Sequence, residues 1–277
     1  MDGKVALVTG AAAKRGMGHA IALRLAEAGA DVAVLDRDPS PKSLFPGDED
    51  WRGLSEVVEE ITSIGRRALA LVADVSNVGE VDEAVRRTVE ALGQIDILVH
   101  CAAIRGRPNV PIVKGDEEEW KRLFEVNLLG SFIVAKRVAR QMIAQGKGGK
   151  MVFFSSVAGR MGAKDNAAYA ASKWGVIGLV QSLALELAPY HINVNAVCPG
   201  MIITNLRDRY YLQLSQETGK SVHEIREEEH RQVTKSIPWG RMGTVEDIAR
   251  VVLFLASDLS DYVTGQSINV CGGLRMD

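Results

Sequence analysis

At 277 residues and 47% hydrophobic, the chain is long enough to bury a substantial core as one large or two ordinary domains. A net charge of −2 excludes a bulk basic surface, and with it nucleic acid as an expected partner. Cys101, Cys198 and Cys271 are far apart and lack metal-ligand spacing, so free thiols are expected, with no metal and no disulfide.

Strand-like and helical stretches alternate along the chain. Residues 4–9 (KVALVT) read as a strand, 17–29 as a helix ending on glycine, and 31–36 (DVAVLD) as a second strand. A helix at 54–65 and a strand at 67–73 follow, then a helix at 78–93 and a strand at 95–100 (IDILVH). Residues 117–145 are long and mostly helical, 150–155 (KMVFFS) a fifth strand, 167–188 a helix and 192–197 a sixth strand. A helix at 244–257 and a short strand at 267–270 close the pattern.

The strands are apolar on both faces, as a sheet covered by helices on both sides requires. Repeated β-α alternation predicts an α/β fold built on a doubly wound parallel sheet. No linker or composition shift divides the chain, so residues 1–277 are read as one domain. No apolar run reaches the ~20 residues of a membrane span. No signal peptide precedes the first strand, and a soluble, cytoplasmic protein is expected. Two segments break the alternation. Residues 38–53, rich in Pro, Gly and Asp, read as a surface loop; residues 205–239 are charged, and the run EIREEEHR at 224–231 reads as a solvated helical face.

The stretch TGAAAKRGMG places Gly10 after the first strand and Gly16 and Gly18 at the start of a helix. Backbone N–H groups and the positive end of a helix dipole suit a pyrophosphate there. Asp36 ends the second strand, 20 residues after Gly16. A carboxylate in that place accepts hydrogen bonds from the ribose hydroxyls of NAD and repels the 2′-phosphate of NADP. NAD is therefore the expected cofactor, although Lys14, Arg15 and Arg37 are cations that could receive a 2′-phosphate.

Further along, Tyr169 and Lys173 lie at i and i+4, on one helical face. An ammonium near a phenol stabilises the phenolate, which makes Tyr169 a general acid/base candidate. Ser156 precedes it by 13 residues, with Ser155 as the competing hydroxyl and a turn-capping role open to both.

Over its whole length the chain resembles the short-chain dehydrogenase/reductase family. The residues that carry the resemblance are Thr9, Gly10, Gly16, Gly18, Asp74-Val75, Asn127 in EVNLLGSF, Ser156, Tyr169, Lys173, and Pro199, Gly200, Ile202 and Thr204 in CPGMIIT, together with the C-terminal PWGRMGTVEDIARVVLFLASDLSDYVTGQSINVCGG. The resemblance implies a single-domain Rossmann fold and four catalytic positions. Tyr169 would be the acid/base and Ser156 would hold the substrate oxygen. Lys173 would lower the Tyr169 pKa and bind the nicotinamide ribose, and Asn127 would position a relay water. It also implies cofactor contacts from Gly10, Arg15, Gly16, Met17, Gly18, Asp36, Asp74, Val75, Ala102, Tyr169, Lys173, Pro199, Gly200, Ile202 and Thr204. Arg15 would face the adenosine side, and Met17 would offer its N–H to the phosphates.

Two departures stand out. Five residues separate the first two glycines where the family has three, and the fourth strand ends His100-Cys101-Ala102-Ala103 where the family reads N-N-A-G. His100 is read as a structural stand-in bonding neighbouring backbone rather than as a catalyst. The resemblance makes residues 205–239 a lid over the substrate, with 104–108 and 158–166 as further walls. Arg105, Arg107, Arg160, Arg207 and Arg209 could attract an anionic or polyhydroxylated substrate, or be solvated loop arginines.

The leading expectation is an NAD-dependent oxidoreductase interconverting a secondary alcohol, polyol or sugar hydroxyl and its ketone. The alternatives are an NADPH-dependent 3-oxoacyl-thioester (acyl carrier protein) reductase and a non-catalytic NAD-binding scaffold. The family usually forms homotetramers, and the helix at 167–188 is apolar enough for burial on two sides.

Overall fold

The computed structural model describes residues 1–42, 48–107 and 109–276, apart from the side chains of Arg209 and Gln213. Parts of two expected features therefore lie outside the described residues: positions 43–47 of the 38–53 loop and position 108 of the substrate wall.

In chain order the elements are β1 (Val5–Thr9), α1 (Met17–Glu27), β2 (Asp31–Asp36), α2 (Leu54–Ser63), β3 (Ala68–Val72), α3 (Val78–Leu92) and β4 (Ile97–His100). These are followed by α4 (Glu117–Phe124), α5 (Gly130–Gln145), β5 (Gly149–Phe154), α6 (Ala167–Leu187) and β6 (Ile192–Pro199). The chain ends with α7 (Asp208–Thr218), α8 (Val222–Thr234), α9 (Val245–Ala256) and β7 (Ser267–Val270).

The strands form one sheet in the order β3-β2-β1-β4-β5-β6-β7, and every neighbouring pair is parallel. The order reverses between β1 and β4, which opens a crevice at the carboxyl ends of those strands.

Side-chain alternation explains why both sheet faces are covered. Leu7, Leu98, Met151 and Phe153 turn to the side of α3, α5 and α6. Val8, Val34, Val99 and Val152 turn to the side of α1, α2 and α9. Leu7 and Phe153 are at most 1% exposed, and burial of a side chain of this kind contributes about 1.5–3 kcal/mol.

Most element ends fall within two residues of expectation, and capping sets several of them. Thr244 stands outside α9 because its hydroxyl accepts from Asp247 N while the Asp247 carboxylate accepts from Thr244 N. The long helix expected at 117–145 is interrupted by a π-turn over Glu125–Leu129. Such turns insert one residue and re-aim the side chains around them. This one carries Asn127.

Residues 205–239 differ more. They form the antiparallel helices α7 and α8, and the charges of EIREEEHR are only partly solvated. Arg226 pairs with Asp208 at 2.7 Å, Glu229 pairs with Arg207, and Tyr211 Oη donates to Glu229 at 2.5 Å. Two helices folded on each other bring these groups together, which a single solvated face would not.

Candidate active site

The glycine loop leaves β1 through Gly10, whose φ is +71°. A Cβ there would lie 2.7 Å from Ala102 N, so loop and β4 approach backbone to backbone. A Cβ on Gly18 would lie 2.3 Å from Gly10 O, and one on Gly16 2.8 Å from Ala13 O. Gly16 caps α1 without a side-chain hydrogen bond. Among the described residues, the amides of Met17 and Gly18 have no side-chain acceptor, as an anion site at a helix start needs. The cradle fits a dinucleotide pyrophosphate.

The two additional loop residues are held from outside the loop. Ala12 N donates to Asp36 Oδ2 at 3.1 Å, and Trp51 Nε1 donates to Ala12 O at 2.7 Å. His19 places Nδ1 2.7 Å from Lys14 O and Nε2 2.5 Å from a Glu60 carboxylate oxygen. Arg15 N donates to Asn205 Oδ1 at 2.9 Å, which ties the loop to the segment leading into α7.

The side chain of Arg15 is held by the segment that follows β2. Its Nε lies 2.9 Å from Asp48, and Lys14 Nζ lies 3.2 Å from the same carboxylate. Asp48 is 3% exposed and draws both cations to itself. Asp48, Trp51 and Glu60 were not legible as site residues, because their sequence neighbourhood reads as loop and solvated helix.

Asp36 sits at the β2 tip. Burial pushes its carboxyl upward, against the lowering effect of the hydrogen bond from Ala12. Asp74 is bonded to Ser76 and to Arg122 at 2.9 Å, and its carboxyl is lowered to about 2 by those hydrogen bonds and the Arg122 charge, against a desolvation effect that alone would raise it. Arg37 lies 3.6 Å from the same group. Val75 is buried in the core, so its side chain is not an exposed wall. Pro199 ends β6, and Gly200 N donates to Val270 O at 3.0 Å. Ile202 bridges to Gly243, and Thr204 Oγ1 caps the turn into α7 by accepting from Leu206 N.

Tyr169, Lys173 and Ser156 meet at the carboxyl end of β5. Lys173 Nζ donates to Phe154 O at 2.8 Å and lies 5.8 Å from the Tyr169 ring centroid. Burial lowers the Lys173 pKa to about 8. Burial also raises the Tyr169 phenol, opposed by the Arg105 charge and a hydrogen bond with Ser156. The expected lowering by Lys173 is therefore corrected: its ammonium points at a carbonyl, and the cation acting on the phenol is Arg105.

The two serines separate clearly. Ser155 is buried and donates to Lys173 O at 2.8 Å, whereas Ser156 is the hydroxyl that reaches Tyr169. Asn127 Oδ1 accepts from Ile104 N at 2.9 Å, while its Nδ2 donates to Ile104 O and Ser172 Oγ at 3.0 and 3.1 Å. Both amide hydrogens are thus occupied, so a relay water cannot use them. His100 bonds a side chain rather than backbone: its Nδ1 is 3.0 Å from Thr9 Oγ1, and that same hydroxyl accepts from Ala102 N. Burial lowers the His100 pKa to about 3, which removes it as a base at neutral pH.

A small cavity of about 30 Å³, lined by Gly106, Val110, Trp120 and Leu123, touches Tyr169. A larger hollow of about 500 Å³ lies at the opposite end of the strands, by Lys4, Lys150 and His191, away from this chemistry.

A parallel sheet with a glycine cradle, an acidic β2 tip and a Tyr-Lys-Ser cluster defines a nucleotide-dependent oxidoreductase. The family model described as "Enoyl-(Acyl carrier protein) reductase" matches residues 10–275. A short-chain dehydrogenase/reductase of Armillaria gallica is 38% identical over 276 residues, covering 100% of this chain and 97% of that protein. The 3-oxoacyl-[acyl-carrier-protein] reductase of Staphylococcus aureus is 38% identical, covering 99% and 98%. Carveol dehydrogenase from Mycobacterium avium, solved in complex with NAD, superposes with a TM-score of 0.87 at 32% identity, covering 99% and 98%. The chain belongs to the short-chain dehydrogenase/reductase family. It is an oxidoreductase acting on CH–OH groups and using NAD or NADP. Among the described residues, no helix is long and apolar enough to cross a membrane.

Proposed function

We propose that the protein is an NAD-dependent dehydrogenase interconverting a secondary alcohol and its ketone, with Tyr169 as the acid/base. The observation that carries this is the convergence of Tyr169, Ser156 and Lys173 at the strand ends beside the glycine cradle. In the oxidative direction the Tyr169 phenolate takes the hydroxyl proton. Ser156 holds the same oxygen, and Lys173 supplies positive charge behind the site. A bound nicotinamide would supply the hydride acceptor for the carbinol carbon. Asn127 acts as a positioning residue, joining the strand β4 exit at Ile104 to α6 through Ser172. Gly10, Gly16, Met17 and Gly18 would hold the pyrophosphate, with Asp36 on the adenosine ribose. The segment from Pro199 to Thr204 would border the nicotinamide.

The likeness to a 3-oxoacyl-[acyl-carrier-protein] reductase supports a second reading, NADPH-dependent reduction of a thioester-bound ketone. Against it stand Asp36 and the pairing of Lys14, Arg15 and Arg37 with acids. A panel of secondary alcohols, polyols and 3-oxoacyl thioesters, assayed with each cofactor by nicotinamide absorbance, separates them. NAD-linked oxidation of alcohols is the expected result. Turnover confined to thioesters with NADPH would overturn the first reading.

A homotetramer is part of the same proposal. The outer face of α6 exposes Trp174 and Leu185, and Leu129 and Phe132 lie exposed near it. An apolar helix face of this kind favours self-association. Light scattering is expected to give four times the chain mass; a monomer would contradict it.

A further inference from the structure

Of the arginines near the substrate cleft, four are accounted for or outside description. Arg107 pairs with Glu119 at 2.9 Å, and Arg207 pairs with Glu229. Arg160 has a partner of its own, and the Arg209 side chain is not described. Arg105 is different. It makes no ion pair and no hydrogen bond among the described residues, and its Nε is buried without a partner. Its guanidinium carbon lies 5.8 Å from the Tyr169 ring centroid. Burial and the nearby Arg207 charge both work against its positive charge. A buried guanidinium N–H left without an acceptor is costly unless something supplies one.

Among the described residues, none in α7 or α8 bonds Arg105, although Glu229 and Tyr210 lie near enough to favour its charge. Glu229 is shared by Arg207 and Tyr211, and Asp208 is taken by Arg226. Among the described residues, Arg207 and Arg226 each have a carboxylate partner, whereas Arg105, beside the Tyr169 ring, has none at ion-pair distance.

We propose that Arg105 binds a carboxylate on the substrate, making this a dehydrogenase of hydroxy acids whose carboxylate lies a few bonds from the reacting carbon. The proposal rests on the dehydrogenase reading above. A carboxylate matches a guanidinium in a bidentate geometry.

Two measurements on the full chain with NAD test this. The first compares kcat/KM for short 2-, 3- and 4-hydroxy acids with their methyl esters and with polyol phosphates. The wild type is expected to favour an acid over its ester by about 10- to 100-fold, the range for losing a charge-assisted hydrogen bond. Arg105→Gln should lower kcat on acid and ester alike, because the Arg105 charge also acts on the Tyr169 phenol. It should in addition raise KM for the acid alone, so that the acid-over-ester preference is lost; Arg105→Lys should restore part of both. The second is calorimetric titration with butanoate. Saturable binding is expected in the wild type, weakened at least about tenfold in Arg105→Gln and retained in Tyr169→Phe.

Equal use of acid and ester by the wild type, better use of a phosphate, or no saturable butanoate binding would each overturn the proposal. So would an equal loss on acid and ester in Arg105→Gln, which would mean that the residue serves only Tyr169. If Arg105→Gln fails to fold, the wild-type comparisons decide alone. Failure of the dehydrogenase reading shows separately, as turnover that survives Tyr169→Phe.

Discussion

Tyr169→Phe is expected to lower kcat by about two to four orders of magnitude, the range for removing a general acid/base, while the cofactor still binds. Phenylalanine keeps the ring, so the packing of α6 and the Arg105 and Lys173 contacts over that ring are retained. What disappears is one hydroxyl, the group hydrogen-bonded to Ser156. No other side chain in the cluster can replace it. His100 is buried and held neutral, with its pKa near 3, and the Lys173 ammonium is directed to Phe154 O.

The pH dependence has a definite sign. Burial raises the Tyr169 phenol, so the phenolate needed for oxidation grows as pH rises, and the oxidation rate climbs with it. Ketone reduction needs the protonated phenol and declines over the same range. Lys173, lowered to about 8 by burial, loses its charge below the range of the phenol, and the cation that still acts on the phenol is Arg105. Steady-state kinetics across pH, with isothermal titration of NAD into both proteins, check all of this. Turnover in Tyr169→Phe within tenfold of wild type would remove Tyr169 from the acid/base role.

The fold was legible because local signals agreed with one another. Strands apolar on both faces, such as Val5–Thr9, admit few arrangements other than a covered parallel sheet. Gly10, Gly16 and Gly18 were legible as a loop because glycine marks close backbone approach, and Tyr169 and Lys173 because helical spacing joins them. What stayed hidden depends on contacts between distant segments. Asp48 and Trp51 lie in a stretch whose composition signals only a loop, yet they brace the widened glycine loop. The lid charges read as solvated because nothing local shows that α7 and α8 fold onto each other. The Tyr169 phenol was misjudged for a similar reason. Spacing gives the i and i+4 pairing, but not that the ammonium turns to Phe154 O or that Arg105 arrives from the β4 exit.

NAD is expected to be used with a kcat/KM about two orders of magnitude above that for NADP, and Asp36→Asn is expected to erase most of that difference. Two unit charges about 4 Å apart near a protein surface repel by about 4 kcal/mol, which solvent and salt reduce. A 2′-phosphate beside Asp36 would meet that repulsion. Relief would have to come from Lys14, Arg15 or Arg37. Lys14 and Arg15 are ion-paired with Asp48 at 3.2 and 2.9 Å, and Arg37 lies 3.6 Å from Asp74. Turning any of them to a phosphate costs an existing ion pair.

Asparagine is the informative replacement, because its carbonyl oxygen can still accept from Ala12 N, as Asp36 Oδ2 does at 3.1 Å. The bond to the glycine loop is kept, and the charge is removed together with the weak acceptance from Asp38 N at 3.4 Å. Burial raises the Asp36 carboxyl, so protonation at falling pH should weaken the discrimination in the wild type, and Asp36→Asn should show no such trend. Michaelis constants for both cofactors, measured with one substrate over a pH series, carry the test. If wild type uses both cofactors equally, or if Asp36→Asn leaves their ratio unchanged, the sign of the pocket is set by the cations of the widened loop and not by the strand-end carboxylate.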